Sequence, residues 1–343
     1  MGEISHIIAC VWDFDKTLTP KYMQVPLFKD YGIEEQFFWK TVNGLPAKMR
    51  RDGVRLSGTL SYLNFVLELV KSGRLPGLSK AKLTQYGQLL EFFPGVPEIF
   101  PLLKSVVESA EIFKQYEISV EHYIISCGHV EIIRGSRVAP YMEAIFGCEY
   151  LEDEMAEAVS DFCRAECTGP VAEESSPEAE GDVRQMALTD CEPLVTADYK
   201  EVKRIGYVVD QAQKTRCLFE INKGCTKNGL VDVDAVMDEG ERRIPFSNMI
   251  YIADGLSDVP AFSVVRQHGG KAFAVYNPEN EIEFEQCDRM LELGRIDAYG
   301  AADYTSESVT TRWLKMHIQK MAKRIVDEEL RAAESSAPPE IVH

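Results

Sequence analysis

"IIACVWDFDKTLTP", residues 7–20, is the stretch on which the fold turns. Ile7 to Trp12 are continuously apolar, as expected for a strand buried on both faces of a parallel sheet. Asp13, Asp15 and Thr17 follow at alternate positions, at the carboxyl end of that strand, where open parallel sheets bind their ligands. By itself an Asp-x-Asp there reads more readily as a capped, solvated strand end, because Asp favours turns and N-caps. The rest of the chain decides between the two.

The same pattern recurs. "EHYIISCGHVEIIRG" (121–135) reads as a short strand, a tight turn and a helix, with Ser126 at the strand end. "NMIYIADGLSDVPAF" (248–262) is a strand, an acidic turn and a helix, and "GGKAFAVYNP" (269–278) a further strand. "RIGYVVDQAQKTRCLFEINKG" (204–224) is an extended stretch and then a helix with Lys214 at its head. Strands alternating with helices predict an α/β fold, a Rossmann-like doubly wound parallel sheet. Residues 24–90 are helical in pattern and interrupt this alternation. Residues 1–20 and 91–305 are therefore expected to form the core, with 21–90 as an inserted helical cap. A final helix is expected over 306–335, with Leu314, Ile318, Met321 and Ile325 on one face. That face packs on the core or, alternatively, makes a homo-oligomer.

Charge and composition exclude several classes of function. The 343-residue chain has a net charge of −18 and is 45% hydrophobic. Residues 151–200 hold fourteen acidic and three basic residues, a net charge of −11. Within them, "GPVAEESSPEAEGD" (169–182) lacks the residues to build a core. An acidic, mobile insertion is expected over 152–200, with short helices possible near "EMAEAVSDFCRAE" (154–166). A chain this acidic, without a basic stripe, should repel nucleic acid and anionic membranes. No run of eighteen uncharged apolar residues predicts a membrane span. Nine cysteines without a CxxC pair read as reduced thiols. With no signal-peptide or myristoylation pattern at the N-terminus, a cytoplasmic address is expected.

Taken together, the motifs resemble those of the haloacid dehalogenase-like hydrolases, most closely the phosphoserine-phosphatase-like branch. DxDx(T/V) matches Asp13 to Thr17, the strand-ending Ser or Thr matches Ser126, the helix-heading Lys matches Lys214, and DGxxD matches Asp254 to Asp258. "FFPGVPEIFPLL" (92–103) looks like the helix that commonly precedes the second motif. The resemblance spans about residues 7–305, apart from most of the acidic segment. It implies a Mg²⁺-dependent phosphatase acting on a small phosphorylated metabolite through an aspartyl-phosphate. It further implies metal ligands from Asp13, the main-chain carbonyl of Asp15, and Asp254.

The chemistry gives reasons for these residue types. A carboxylate nucleophile, Asp13, divides phosphoester hydrolysis into two easier steps. A hard cation such as Mg²⁺ suits carboxylate and phosphate oxygens and neutralises the approach of two anions. Asp15, two residues on, can face the same site, protonate the leaving alkoxide and then activate water. Ser126 and the amides around Cys127 and Gly128 would hold phosphoryl oxygens, with Lys214 adding fixed positive charge. Thr17 would hold the loop or contact Asp13, and Asp258 would orient metal-bound water. Lys223 competes with Lys214 but stands near the helix C-terminus, where a lysine satisfies the dipole. "DVDAVMDE" (232–239) lacks the glycine and glutamate of an EF-hand and reads as a solvated loop.

Substrate signals are thinner. Lys48, Arg50, Arg51 and Arg55 form a basic cluster in the cap that reads first as a solvated face and second as an anion contact. His129 is a helix-start histidine that could reach the site. "LTPKYMQ" (18–24) has Lys21 and no acid where serine-phosphate phosphatases of this branch commonly carry a glutamate, so phosphoserine is not the expected substrate. Phosphonate hydrolysis, phosphotransfer, and a catalytically silent scaffold remain the alternative readings.

Overall fold

In a computed structural model of the chain, described over residues 5–167 and 200–336, β1 is Ile7–Trp12, and Ile8 to Trp12 are wholly buried. It lies near the middle of a seven-stranded sheet ordered β4-β3-β2-β1-β5-β6-β7. The other strands are β2 (Ser119–His129), β3 (Ala144–Leu151), β4 (Arg204–Tyr207), β5 (Met249–Ala253), β6 (Lys271–Tyr276) and β7 (Ala298–Ala301). All neighbours pair in parallel except β3 and β4 at one edge. β1 pairs with β2 on one side and β5 on the other, with Trp12 opposite Ile124 and Ile252. The strand expected from "IIACVW" is therefore the hub of the sheet.

Strand order reverses at β1, so the crossovers β1→β2 and β5→β6 run in opposite senses. Right-handed connections then place their helices on opposite faces. The first carries α1 (Val25–Asp30), α2 (Glu35–Arg51), α3 (Gly58–Lys71), α4 (Lys80–Gly87), α5 (Ile99–Glu108) and α6 (Glu111–Gln115). Of these, α5 packs on β2. Short α7 (Val130–Arg134) follows β2 and packs on α4 and β3, and α8 (Ala156–Cys167) follows β3. The second face carries α9 (Gln211–Lys223) and α10 (Val259–Gln267), which pack together. α11 (Glu281–Glu292) precedes β7, and α12 (Val309–Ser336) packs on α5, α6 and β7. Leu314, Ile318, Met321 and Ile325 of α12 are buried in that contact, which favours the core reading of this helix over an oligomer seam.

Local chemistry explains the helix starts. Glu34, Ser57, Ser79 and Asp210 cap α2, α3, α4 and α9 by accepting backbone N–H groups of the first turn. α9 ends at Gly224, whose φ of 78° is the left-handed conformation that suits glycine at a helix C-terminus. Of the acidic segment expected over 152–200, residues 168–199 lie outside the described residues; residues 156–167 form α8, the short helix allowed for there. One local expectation is corrected. "SCG" is not a tight turn after β2: the strand continues through it to His129, with a register shift between Ile125 and His129 and His129 opposite Cys148. A bulge of this kind re-aims side chains while keeping the strand paired.

A buried polar contact ties β1 to β2. Trp12 Nε1 donates to His122 Nδ1 at 3.3 Å, and His122 Nε2 lies 3.1 Å from the Phe100 carbonyl. The imidazole is thus neutral, with its proton on Nε2, and burial pushes its pKa down to about 3. Below pH ~6.5 the unfolded chain protonates this ring while the folded chain does not, so its contribution to stability falls as pH drops towards 3. We expect His122→Asn to lose about 2 kcal/mol less stability than the parent between pH 7 and pH 5, as read by urea denaturation. Equal losses in the two proteins would contradict this account.

Candidate active site

Four strand-end segments meet at the carboxyl edge of β1, β2 and β5. The chain leaves β1 by a sharp loop in which the Phe14 carbonyl accepts from the N–H groups of Thr17, Leu18 and Thr19. Lys16 takes a left-handed backbone, φ 60°, to make this turn. The Asp13 N–H donates to the Ile252 carbonyl of β5 at 2.8 Å, so the first carboxylate is fixed directly by the sheet.

Both oxygens of Asp13 are engaged. Lys214 Nζ donates to Oδ1 at 2.7 Å, and Thr17 Oγ1 donates to Oδ2 at 3.0 Å. The same ammonium donates to Asp258 Oδ1 at 2.6 Å. Asp258 also accepts from the Tyr251 hydroxyl at 2.6 Å and from Ser257 Oγ at 2.7 Å. Asp13, Asp258 and Lys214 are all nearly inaccessible to solvent. Lys214 reaches this point because Asp210 starts α9 at the carboxyl edge and Lys214 follows in its first turn. Lys223 lies at the far end of α9 and donates to the carbonyls of Val233 and Ala235. Its loop is the region read as solvated, and Lys223 takes no part in the site.

Carboxylate oxygens of Asp13, Asp254 and Asp258 lie within 4.8 Å of one another. The carboxylate of Asp254 accepts no hydrogen bond from a described side chain, whereas the oxygens of Asp258 already have three donors. An all-oxygen set of this kind, with the buried Lys214 and the half-buried Lys16 set against several carboxylates, suits a hard divalent cation. Burial, Asp13 and Asp258 push the Asp254 pKa well up, and burial pushes Asp13 up to about 6 against the lowering pull of Lys214. Bringing a cation here would relieve that crowding.

Asp15 stands apart from the lysine. Its Oδ1 accepts the Met23 N–H at 2.8 Å, and burial, followed by repulsion from Asp13, pushes its pKa up to about 8. A carboxyl so held carries a proton at neutral pH. Ser126 is buried, and its Oγ accepts the Gly128 N–H at 3.0 Å, leaving the hydroxyl proton available to another acceptor. The Gly128 amide is therefore directed at Ser126 here. A Cβ on Gly128 would lie 2.2 Å from Cε of Met23, so glycine lets Met23 close over the strand end. Asp13, Asp15, Ser126, Gly128, Lys214 and Asp254 all line one cavity of 380 Å³. Thr17 and Asp258 stand behind it, touching Asp13 and Lys214.

Several partners escaped sequence reasoning. Tyr251 orients Asp258, and the Tyr304 hydroxyl donates to the Thr17 carbonyl at 2.6 Å from a point 287 residues away. Nothing in the local pattern marks Tyr304; Tyr251 was visible only as a polar-tipped residue in an otherwise apolar strand. The other wall of the cavity comes from α2 and α3, through Trp39, Val42, Asn43, Thr59 and Tyr62. Their spacing of three and four residues was available in the sequence as a helix face. His129 does not reach the cavity: it packs between Tyr62 and Tyr150, 5.2 and 4.9 Å from their ring centres, and burial lowers its pKa to about 3. Lys48, Arg50, Arg51 and Arg55 are exposed and do not line it either.

No protein-family model matches the chain. It is 29% identical over 321 residues to an uncharacterized protein of Borreliella burgdorferi, covering 92% of this chain and 97% of that one. Among solved structures it is similar to a HAD family hydrolase, t0658, of Salmonella enterica serovar Typhi, with 13% identity and a TM-score of 0.46 over 87% of this chain and 68% of that chain. A gene product of Archaeoglobus fulgidus, AF1437, gives 14% identity and a TM-score of 0.45 over 99% and 89%. A phosphoserine phosphatase in its apo form gives 12% and 0.42 over 85% and 92%. Likeness at these TM-scores bears on neither activity nor substrate.

The geometry makes Lys214 the cation that pairs with two buried carboxyl groups inside the fold. Removing one partner of a buried ion pair leaves the others uncompensated, typically at a cost of about 3–5 kcal/mol. Lys214→Met should therefore lower the stability of the metal-free protein at pH 7 by about 3 kcal/mol in a urea titration. A variant as stable as its parent would show that these groups are solvated instead. The four segments singled out in the sequence thus meet at the carboxyl edge of a doubly wound, largely parallel α/β sheet.

Proposed function

We propose that the protein is a Mg²⁺-dependent phosphatase that hydrolyses a small phosphate monoester with Asp13 as nucleophile. One observation carries the reading. A buried lysine holds Asp13 in place beside Asp254, and the same cavity contains a hydroxyl donor, Ser126, and a second, protonated carboxyl, Asp15. A structural salt bridge would need only Lys214 and one acid. It has no use for a serine hydroxyl and a proton-bearing carboxyl at the same opening.

In this reading the Asp13 carboxylate attacks phosphorus while Thr17 and Lys214 fix its direction. Asp15 gives its proton to the departing alkoxide, and the resulting carboxylate then takes a proton from the water that cleaves the aspartyl-phosphate. Ser126 Oγ donates to a phosphoryl oxygen, and Lys214 supplies positive charge that costs no reorganisation during the reaction. Mg²⁺ held by Asp13, Asp254 and the Asp15 carbonyl would add charge neutralisation at the transferring group. Asp258, tied to Lys214, Tyr251 and Ser257, keeps the lysine oriented and would be a further acid beside the metal, orienting its bound water. The helices α1–α4 act as a cap that restricts water, and side chains of α2, α3 and the segment before α1 complete the cavity opposite the strand ends.

Phosphonate hydrolysis would need a cap amine to form a Schiff base. Among the described residues, no lysine of α1–α4 lines the cavity. This disfavours that chemistry.

Two measurements test the proposal. Asp13→Asn should reduce turnover of an aryl phosphate by on the order of 10³-fold or more while the circular dichroism spectrum stays native; residual activity close to the parent's would remove Asp13 as nucleophile. Chelation by EDTA should silence the parent, with activity returning on addition of Mg²⁺. Activity that persists in EDTA would point to a metal-free route.

A further inference from the structure

A second cavity, of 650 Å³, opens beside the catalytic one, and Tyr22 lines both. It is walled by the segment linking β1 to α1, by α1 itself, and by α4 with the residues that follow it. Its volume is that of a small-molecule site, for which roughly 300–1,000 Å³ is usual. Val25, Pro26, Tyr86, Leu89 and Leu90 give it an apolar wall. Tyr22 and Leu89 are 37% and 65% exposed, so a ligand entering this groove meets accessible surface on both.

The charges of the groove do not cancel. Lys82 Nζ lies 2.9 Å from Asp30 Oδ2, which also accepts from the Tyr86 hydroxyl at 2.6 Å. Lys21 Nζ lies 3.4 Å from Glu91 Oε2. Asp30 and Glu91, the acids that line the groove, are therefore both matched by lysines. The third lysine there, Lys29, has no ion-pair or hydrogen-bond partner among the described residues. One positive charge is left over, on a chain whose net charge is −18. Charge complementarity of this kind selects an anionic group.

The chemistry points towards this groove. In the phosphatase reading, on which this step rests, Asp15 protonates the departing alcohol, so the alcohol oxygen lies against Asp15. Asp15 Oδ1 accepts the Met23 N–H at 2.8 Å, one residue from Tyr22. The alcohol thus leaves on the side of the segment that carries Tyr22, the residue the two cavities share. We infer that the alcohol portion of the substrate runs past Tyr22 into the groove, with an apolar body on the Val25, Leu89 and Leu90 wall and a terminal anionic group beside Lys29. A carboxylate and a second phosphate both meet that requirement.

The test is kcat/KM of the Mg²⁺-loaded full-length protein on acetyl phosphate, on straight-chain alkyl phosphates from ethyl to octyl, and on two octyl esters ending in an anion. These last are the phosphate of a terminally hydroxylated octanoate and an octanediol bisphosphate. Acetyl phosphate reports phosphatase chemistry with almost no leaving group to recognise. Along the alkyl series kcat/KM should rise by roughly two- to fourfold per methylene, the scale of burying a CH₂ group. A terminal anion should add roughly two- to fivefold, as an exposed ion pair does, and the ester that gains more separates carboxylate from phosphate. In Lys29→Met, which keeps the apolar stem, the ratio of terminal-anion ester to octyl ester should fall to about one. Leu89→Glu, at an exposed position, places an acid on the apolar wall and should lower the octyl-to-ethyl ratio by roughly fivefold. A series indifferent to chain length, or ratios unchanged in the folded variants, would overturn the inference while acetyl phosphate turnover left the phosphatase reading intact. No turnover of any probe, acetyl phosphate included, would remove that reading and this inference together.

Discussion

The site depends on one ammonium group. Lys214 is buried with Nζ between Asp13 and Asp258, and the arrangement inverts the usual electrostatics of a protein interior. Isolated, each of these charges would be expelled or neutralised by the low dielectric around it. Held together they form a polar core within an apolar sheet, and the attraction of the carboxylates raises the Lys214 pKa well above its ordinary value despite burial. The lysine does not balance the whole cluster. Asp254 and Asp15 remain, and burial and neighbouring acids push both upward. That imbalance suits a place for a divalent cation better than a finished structural salt bridge.

The sheet supplies the precision that such a site needs. β1 is buried on both faces and hydrogen-bonded on both edges, so Asp13 inherits a fixed position from its own backbone. The acids of β5 arrive by the same route on one flank and Ser126 on the other. Flexible groups are pinned from outside: Thr17 by Asp13 and Tyr304, Asp258 by Tyr251, Gln24 by Tyr62. Rigid strands carry the groups proposed to react, and α2 and α3 supply the opposite wall of the cavity.

Much of this was legible in the residues. Asp13, Lys214 and Asp254 each follow or head an element with a strong pattern, so the sheet topology was enough to bring them together. The choice between Lys214 and Lys223 followed from position along one helix, because the first turn of α9 points at the strand ends and its last turn at a surface loop. Where the reading failed, the cause was geometry that no local pattern encodes. "SCG" resembles a turn through its glycine, yet the glycine serves the close approach of Met23 and the strand runs on as a bulge. His129 stands three residues after Ser126 in sequence, but it packs among Tyr62 and Tyr150, away from the cavity. Tyr304 was beyond reach because its contact spans almost the whole chain.

The central claim is that Asp13 becomes covalently phosphorylated during turnover. Its most direct test is an acid-quenched reaction with a ³²P-labelled ester, followed by proteolysis and mass mapping of the labelled peptide. The account predicts label on the peptide containing Asp13, stable in acid and released by hydroxylamine as an acyl phosphate should be. Label on a serine or histidine peptide instead, or steady turnover with no labelled protein at any quench time, would contradict it.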